Sequence, residues 1–367
     1  MKTGILTYHN TRNCGAVLQA YALQKTLFSL GIDNEIIDYR CRKIDDAYRL
    51  KHFWENRTAK ELAKWALTIK NNKNAQKKFD AFKRDALQLS TVYDRATIHR
   101  ANERFDAFIT GSDQVWNFYL NGGDYTYLLD FAAEGKKKIS YAASMGSAAA
   151  KKSDEAQIKK ELLTFDAVSV REKPLQAYIR QTMGISPALV LDPTLLLGKE
   201  DYDFPSDWKK PAGSYIFVYT IAPTPHIDGA ARALSEKTGY PVIWGHMSYR
   251  KKKGVQNATG LSPAAFVRYI KNAAYVLTSS FHGMAFSIIM EKQFFYDLDV
   301  NKQNNNARLE TLSALLDLQG RELKNTGIQT VPPIDYSIVG KKLDKWRQAS
   351  IAFLKDSLTK RTVGGNF

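Results

Sequence analysis

The chain has 367 residues, 44% of them hydrophobic, which suits two packed domains of ordinary size better than one core. Fifty-three Lys and Arg against 37 Asp and Glu leave a formal charge of +16, which favours anionic partners: phosphorylated metabolites, anionic lipid surfaces or nucleic acid. Two cysteines, Cys14 and Cys41, with no Cys-x-x-Cys and no His-Glu-x-x-His, exclude a disulfide framework and argue against zinc, so no metal is expected.

Thr3 to Tyr8 predicts a strand, Gly15 to Leu30 an amphipathic helix ended by Gly31, and Asn34 to Tyr39 a second strand, a βαβ opening. No charged stretch at the N-terminus leads into a long apolar run, and no segment has the length of a membrane span. A soluble, unexported, cytoplasmic protein is expected. Lys51 to Arg84 carries ten Lys or Arg against Glu55, Glu61 and Asp80. Within it Phe53, Trp54, Leu62, Trp65, Ala66 and Ile69 recur near helical spacing. Two readings fit: a basic amphipathic helix lying on the inner face of an anionic membrane, or an ordinary helix packing its stripe on the core with lysines in water. No nucleic-acid motif accompanies the charge, so nucleic acid is not an expected partner.

Short apolar runs follow at Ala107 to Thr110, Lys138 to Ala143, Ala167 to Val170 and Ala188 to Leu191. Each ends in small or functional side chains: Gly111-Ser112-Asp113, Ser144, Arg171-Glu172 and Asp192-Pro193-Thr194. A parallel sheet with polar residues at its carboxyl edge gives this pattern, and that edge is where open α/β sheets bind ligands. The Pro-rich, charged stretch from Asp203 to Gly213 reads as a linker. A second alternating series then runs through strand Tyr215 to Tyr219, helix Ile227 to Thr238, strand Pro241 to Trp244, helix Pro263 to Asn272, and strands Ala274 to Leu277 and Phe294 to Leu298. Past Pro332-Pro333, Ser337 to Leu358 is an amphipathic helix. The expected division is 1–205, 212–332, and a C-terminal helix within 333–367 that packs back across both domains.

There is no Walker A sequence and no G-x-G-x-x-G, so an ATPase or a dinucleotide-dependent dehydrogenase is not supported. The run Ser279-Ser280-Phe281-His282-Gly283 sits where a strand hands over to an apolar helix. Unpaired N–H groups and the helix dipole favour an anion there, so His282 is placed for phosphate or carboxylate chemistry, or else simply caps the helix. Asn13-Cys14-Gly15, Gly111-Ser112-Asp113-Gln114, Ser144 and Arg171 are the other anion-handling candidates. Each has a plainer explanation: Arg171 with Glu172 as a surface ion pair, Asp113 as a cap, Trp116 as core.

Together and in this order the motifs resemble the polysaccharide pyruvyltransferase family. The matching stretches are the Asn13 to Gln24 segment, GSDQVWN from Gly111, SYAAS from Ser140, SVRE from Ser169, LDPTLLL from Leu191 and SSFHGMAFSI from Ser279, with the similarity reaching the Asn305 to Leu309 segment. The resemblance implies an α/β protein of two Rossmann-like domains facing a cleft, similar to the GT-B architecture. It implies transfer of pyruvate from phosphoenolpyruvate to two hydroxyls of a sugar in a cell-surface polysaccharide or its lipid-linked precursor, giving a ketal, with phosphoenolpyruvate as co-substrate and no cofactor. His282 then aligns as general acid or base and Arg171 as the donor-gripping arginine. Ser280, Gly283 and Lys302 join the donor side, and Asn13, Asp113 and Gln114 the acceptor side. A nucleotide-sugar glycosyltransferase, with Glu291 on a ribose, and a non-catalytic glycan-binding module are the alternatives.

Overall fold

The computed structural model describes residues 1–50, 52–55, 58–146, 150–206, 208–221, 224–246, 252–299, 306–324 and 331–359. The first domain is a parallel sheet of β1 (Lys2–Leu6), β2 (Asp33–Tyr39), β3 (Leu89–Tyr93), β4 (Ala107–Thr110) and β5 (Lys137–Ser140), in the order β3-β2-β1-β4-β5. Isolated parallel bridges, Ile139 to Ala167 and Ala143 to Val170, extend it towards the short pair β6 (Ser169–Val170) and β7 (Ala188–Leu189). The second domain repeats the order with β8 (Ile216–Tyr219), β9 (Val242–His246), β10 (Gln256–Thr259), β11 (Tyr275–Thr278) and β12 (Gln293–Tyr296), arranged β10-β9-β8-β11-β12. Both are doubly wound Rossmann-like sheets, and in each the strand order reverses beside its first strand, at β1/β4 and at β8/β11. Ligands bind at such points.

The helices are α1 (Cys14–Ser29), α2 (Arg42–Tyr48), α3 (Ala59–Ala86), α4 (Phe118–Asn121), α5 (Glu155–Leu162), α6 (Lys173–Met183), α7 (Ile227–Thr238), α8 (Pro263–Asn272), α9 (Phe281–Ile289), α10 (Ala307–Leu315) and α11 (Tyr336–Thr359). Every residue of α9 is buried and so is most of α1, which a helix achieves only when it is covered on all sides. The cover is mutual. One continuous apolar cluster joins Val17, Leu18 and Leu27 of α1 to Phe266 of α8, Phe286 of α9 and Leu195 and Tyr202 of the segment leaving the first domain. The Cys14 thiol lies 3.7 Å from the Leu261 carbonyl across this join.

Helix α11 straps the domains together. It starts on the second, where the Tyr336 hydroxyl reaches the Ser287 carbonyl at 3.3 Å, and ends on the first, where Lys137 Nζ donates to the Leu358 carbonyl at 3.1 Å. Between them the Leu191 N–H donates to Ser350 Oγ at 3.0 Å.

Helix α3 is an amphipathic helix with a capping box at Thr58 and Glu61. None of the six stripe residues is buried: Phe53, Trp54, Leu62 and Ala66 are exposed and Trp65 and Ile69 half-buried, so the stripe is not packed on the core, and the buried apolar residues of α3 are others, Ala75, Phe79 and Phe82. No helix among the described residues is long and apolar enough to cross a membrane.

Candidate active site in the interdomain cleft

The carboxyl ends of the two sheets face each other, and the side chains singled out by their strand-end positions meet there. Arg171 follows β6 and is only 3% exposed, so it is no surface ion pair. Its guanidinium donates to Asp192, three residues past the end of β7, lies 3.4 Å from Asp113 after β4, and stacks on the Phe281 ring of the second domain at 4.7 Å. Asp113 reaches it from a left-handed backbone conformation, φ 71°, which Asp tolerates better than most residues. Asp192 also accepts from Ser112 Oγ at 3.1 Å and from the Thr194 N–H at 3.0 Å. Burial, the largest single effect, raises its proton affinity, but Arg171, His282 and the hydrogen bonds from Thr194 together outweigh it and hold the carboxyl below its ordinary range.

His282 lies in the first turn of α9, and the cap is Ser280, whose hydroxyl accepts from the Gly283 N–H at 3.3 Å. The imidazole is therefore free of capping duty. Its Nε2 is buried, lies 3.8 Å from Asp192 Oδ2 and has no hydrogen-bond partner among the described residues. Burial pushes its proton affinity below the ordinary histidine value; Asp192 and Asp113 oppose this, and Arg171 and Arg308 add to it. Gly283 is fixed by packing, since a Cβ there would stand 2.2 Å from Thr278 Oγ1.

Helix α1 meets His282 from the opposite domain. Asn13 caps α1, its Oδ1 accepting from the Gly15 N–H at 3.0 Å, and a Cβ on Gly15 would stand 2.0 Å from His282 Nδ1. A Gly15→Ala protein should therefore fold with its imidazole displaced and lose roughly 10²-fold in turnover, the usual effect of an ångström-scale misplacement. Steady-state kinetics beside an unchanged circular dichroism spectrum tests this; full activity would mean that the contact is slack.

Three site residues escaped the sequence reading. Asp192 was noted only as a strand end, and Glu172 only as a partner for Arg171. Glu172 is buried, accepts from Ser144 Oγ at 2.6 Å through one oxygen, and keeps the other unpartnered 4.0 Å from Arg171 Nε; burial pushes its carboxyl up. The third, Arg308, opens α10 and is buried. With the Gln114 carbonyl oxygen turned towards it, that amide accepts from both terminal guanidinium nitrogens at 3.2 and 3.3 Å. Its Nε has no hydrogen-bond partner, and it forms no ion pair among the described residues. Burial and then Arg171 weaken its hold on its proton. Lys302 lies outside the described residues, and Arg308 in the following turn supplies the cation on that side of the cleft. Trp116 is core, its indole N–H donating to the Tyr127 carbonyl at 3.0 Å. Glu291 sits past the far end of α9 and pairs with Lys199 at 3.0 Å, away from the cleft.

Two Rossmann-like sheets, with a buried cluster of two arginines, three carboxylates and a histidine between their carboxyl edges, define a GT-B-like α/β protein with a polar interdomain cleft. The chain belongs to the family described as polysaccharide pyruvyl transferase, whose model matches residues 13–296. A search of curated protein sequences returns no match.

Among solved structures, the chain is similar to MnaA of S. aureus in a UDP co-structure (11% identity, TM-score 0.48, covering 97% of this chain and 91% of that one). It is similar also to the UDP-GlcNAc 2-epimerase of Neisseria meningitidis bound to UDP-GlcNAc (9%, TM-score 0.47, 98% and 95%). A third is the glycosyltransferase SsfS6 of Streptomyces sp. SF2575 complexed with thymidine diphosphate (14%, TM-score 0.43, 96% of each).

Proposed function

We propose that the protein transfers the pyruvyl group of phosphoenolpyruvate to two hydroxyls of one sugar in a cell-surface glycan or its lipid-linked precursor, forming a cyclic ketal and releasing phosphate at the cytoplasmic face of the membrane. The observation that carries this reading is Arg308, a buried guanidinium that forms no direct ion pair among the described residues and feels Asp113, Glu172 and Asp192 only at longer range, within electrostatic reach of His282, whose Nε2 has no hydrogen-bond partner among those residues. A buried unpaired cation is costly, and an anionic ligand removes that cost. Arg171 is already matched by Asp192 and Asp113, so the two arginines divide the work. Arg308 meets the donor's charge, and Arg171 holds the carboxylates and lends its unpartnered Nε–H.

In this reading His282, charged when the donor's phosphate arrives, gives its proton to the methylene carbon, which becomes the methyl group. The adjacent carbon turns electrophilic, and one sugar hydroxyl attacks it. The carbon–oxygen bond to phosphate breaks with its electron pair on phosphate, and the second hydroxyl closes the ketal. The two hydroxyl protons balance the sum: one restores His282 and the other leaves with phosphate. Asp113, Asn13 and Gln114 line the acceptor side, Ser280 and Gly283 the donor side. The nucleotide-sugar alternative loses its ribose ligand, because Glu291 points away from the cleft.

The deciding experiment is phosphate release from phosphoenolpyruvate with oligosaccharide, nucleotide-linked and lipid-linked acceptors, with mass spectrometry of the product. Turnover that requires a nucleotide sugar and ignores phosphoenolpyruvate would overturn the reading. Arg308→Met should weaken phosphoenolpyruvate binding in calorimetry by about 1.5–3 kcal/mol. Because Asp113, Glu172 and Asp192 also feel this charge, denaturant unfolding is measured beside it to separate lost affinity from lost fold. Unchanged affinity would remove Arg308 from the donor site.

A further inference from the structure

We infer that the segment from Phe53 through the first half of α3 is a docking element for an anionic lipid bilayer. Twelve large hydrophobic residues of the described chain are exposed, and four of them fall between Phe53 and Leu67: Phe53 at 57%, Trp54 at 66%, Leu62 at 44% and Leu67 at 80%. Such a cluster is not ordinary surface. Helix α3 also carries eight basic residues against three acidic ones. Full burial starts only at Ala75, and before it only Trp65, Thr68, Ile69 and Asn72 are half-buried, on the side that faces Arg12 and Leu50.

The composition selects the occupant. Leu62 and Leu67 are five residues apart, which puts them about 140° apart around the helix, with lysines between them. A rigid protein partner meets one face of a helix. A fluid interface accepts apolar tips at several angles while the lysine stems lie along it and their ammonium groups reach lipid phosphates. A tryptophan beside the helix start suits the headgroup level. Nucleic acid would use the charge but has no use for Leu62 and Leu67.

The element also opens towards the cleft. Trp65 and Ile69 line a cavity of about 320 Å³ against Arg12 and Leu50. An adjoining cavity of about 560 Å³ shares Arg12 and Leu50 and reaches Asn10, on the loop that ends at the Asn13 cap. A bilayer on this face would therefore present its headgroup region to the acceptor side of the site. Docking itself does not depend on the reaction proposed above, and its test needs no turnover.

The test is co-sedimentation of the full chain with neutral vesicles and with vesicles containing about 30% anionic lipid, at about 0.1 M salt. Partitioning onto anionic vesicles should exceed that onto neutral ones by roughly tenfold or more, and a Trp54→Ser/Leu67→Ser variant should bind the anionic vesicles roughly tenfold more weakly than the parent. Both positions are exposed, so the fold should persist, as circular dichroism will report. Equal recovery from the two vesicle types overturns the inference. So does undiminished vesicle binding by the double variant, which would reduce the effect to adsorption of a basic protein. Binding to duplex RNA as tight as that to vesicles, and equally blind to the two substitutions, would reassign the face to nucleic acid.

Discussion

Replacing His282 by Asn should lower turnover by roughly 10²–10⁴ while leaving the fold and most of the phosphoenolpyruvate affinity in place. Asn fills much of the same space and can still donate to a phosphate, but it cannot deliver a proton. The pH behaviour sharpens the test. Burial lowers the folded protein's histidine below its ordinary value of 6.5, so the folded chain binds fewer protons here than the unfolded one. Stability at this site is full above about 6.5 and declines as pH falls through the folded value. A donor phosphate acts the other way and raises the proton affinity. Binding should then take up a proton, and affinity should rise as pH is lowered between the free and bound values. Calorimetry in buffers of different ionisation enthalpy measures that uptake in the parent, and it should vanish in His282→Asn. Near-normal turnover in a folded His282→Asn protein would move the acid to solvent.

The second large effect is on stability. Arg171→Ala should cost about 3–5 kcal/mol, because it leaves Asp192 fully buried, and Asp113 nearly so, with no cation between them. That is a large share of the roughly 5–15 kcal/mol that holds a typical domain. Arg171→Lys should recover the charge but not the planar fork that reaches two carboxylates and stacks on Phe281. Denaturant unfolding reads both, and adding Asp192→Asn to Arg171→Ala should return part of the loss as a coupling energy. A cost under about 1 kcal/mol would mean that the carboxylates find another partner or take up protons. Arg308→Met is expected to act chiefly on donor affinity, so calorimetry and denaturant unfolding read together distinguish the two arginines.

Local pattern carried most of this fold. Helices Ile227–Thr238 and Pro263–Asn272 were legible to the residue, because each has a strong apolar stripe and a clear stop. Two strands were missed, β3 and β10, and both are sheet edges. Leu-Ser-Thr-Val-Tyr and Gln-Asn-Ala-Thr lack the continuous apolar run of a strand covered on both faces. The cleft cluster was legible where a polar residue lies within four residues of a strand end, as with Asp113, Arg171 and His282. Arg308 follows no strand and carries no local signal. It joins the cluster only because α10 turns its first residues into the cleft, and tertiary placement of that kind leaves no trace in spacing. Helix α3 shows the converse: its periodicity was real, but periodicity does not say whether a stripe is covered.

The apolar cluster shared by the two domains bears on how the chain is made. As it leaves the ribosome, α1 can settle on its own sheet early and then on the Pro193–Leu196 segment, but a further part of its surface belongs to α8 and α9, which are synthesised far later. At ordinary elongation rates of about 5–20 residues per second that interval is roughly 10–50 s. Throughout it the nascent first domain displays an apolar face whose partner does not yet exist. The same holds for a fragment cut at the linker, whose α1 would never be fully covered. The two halves resemble each other in strand order, but each is finished only by the other.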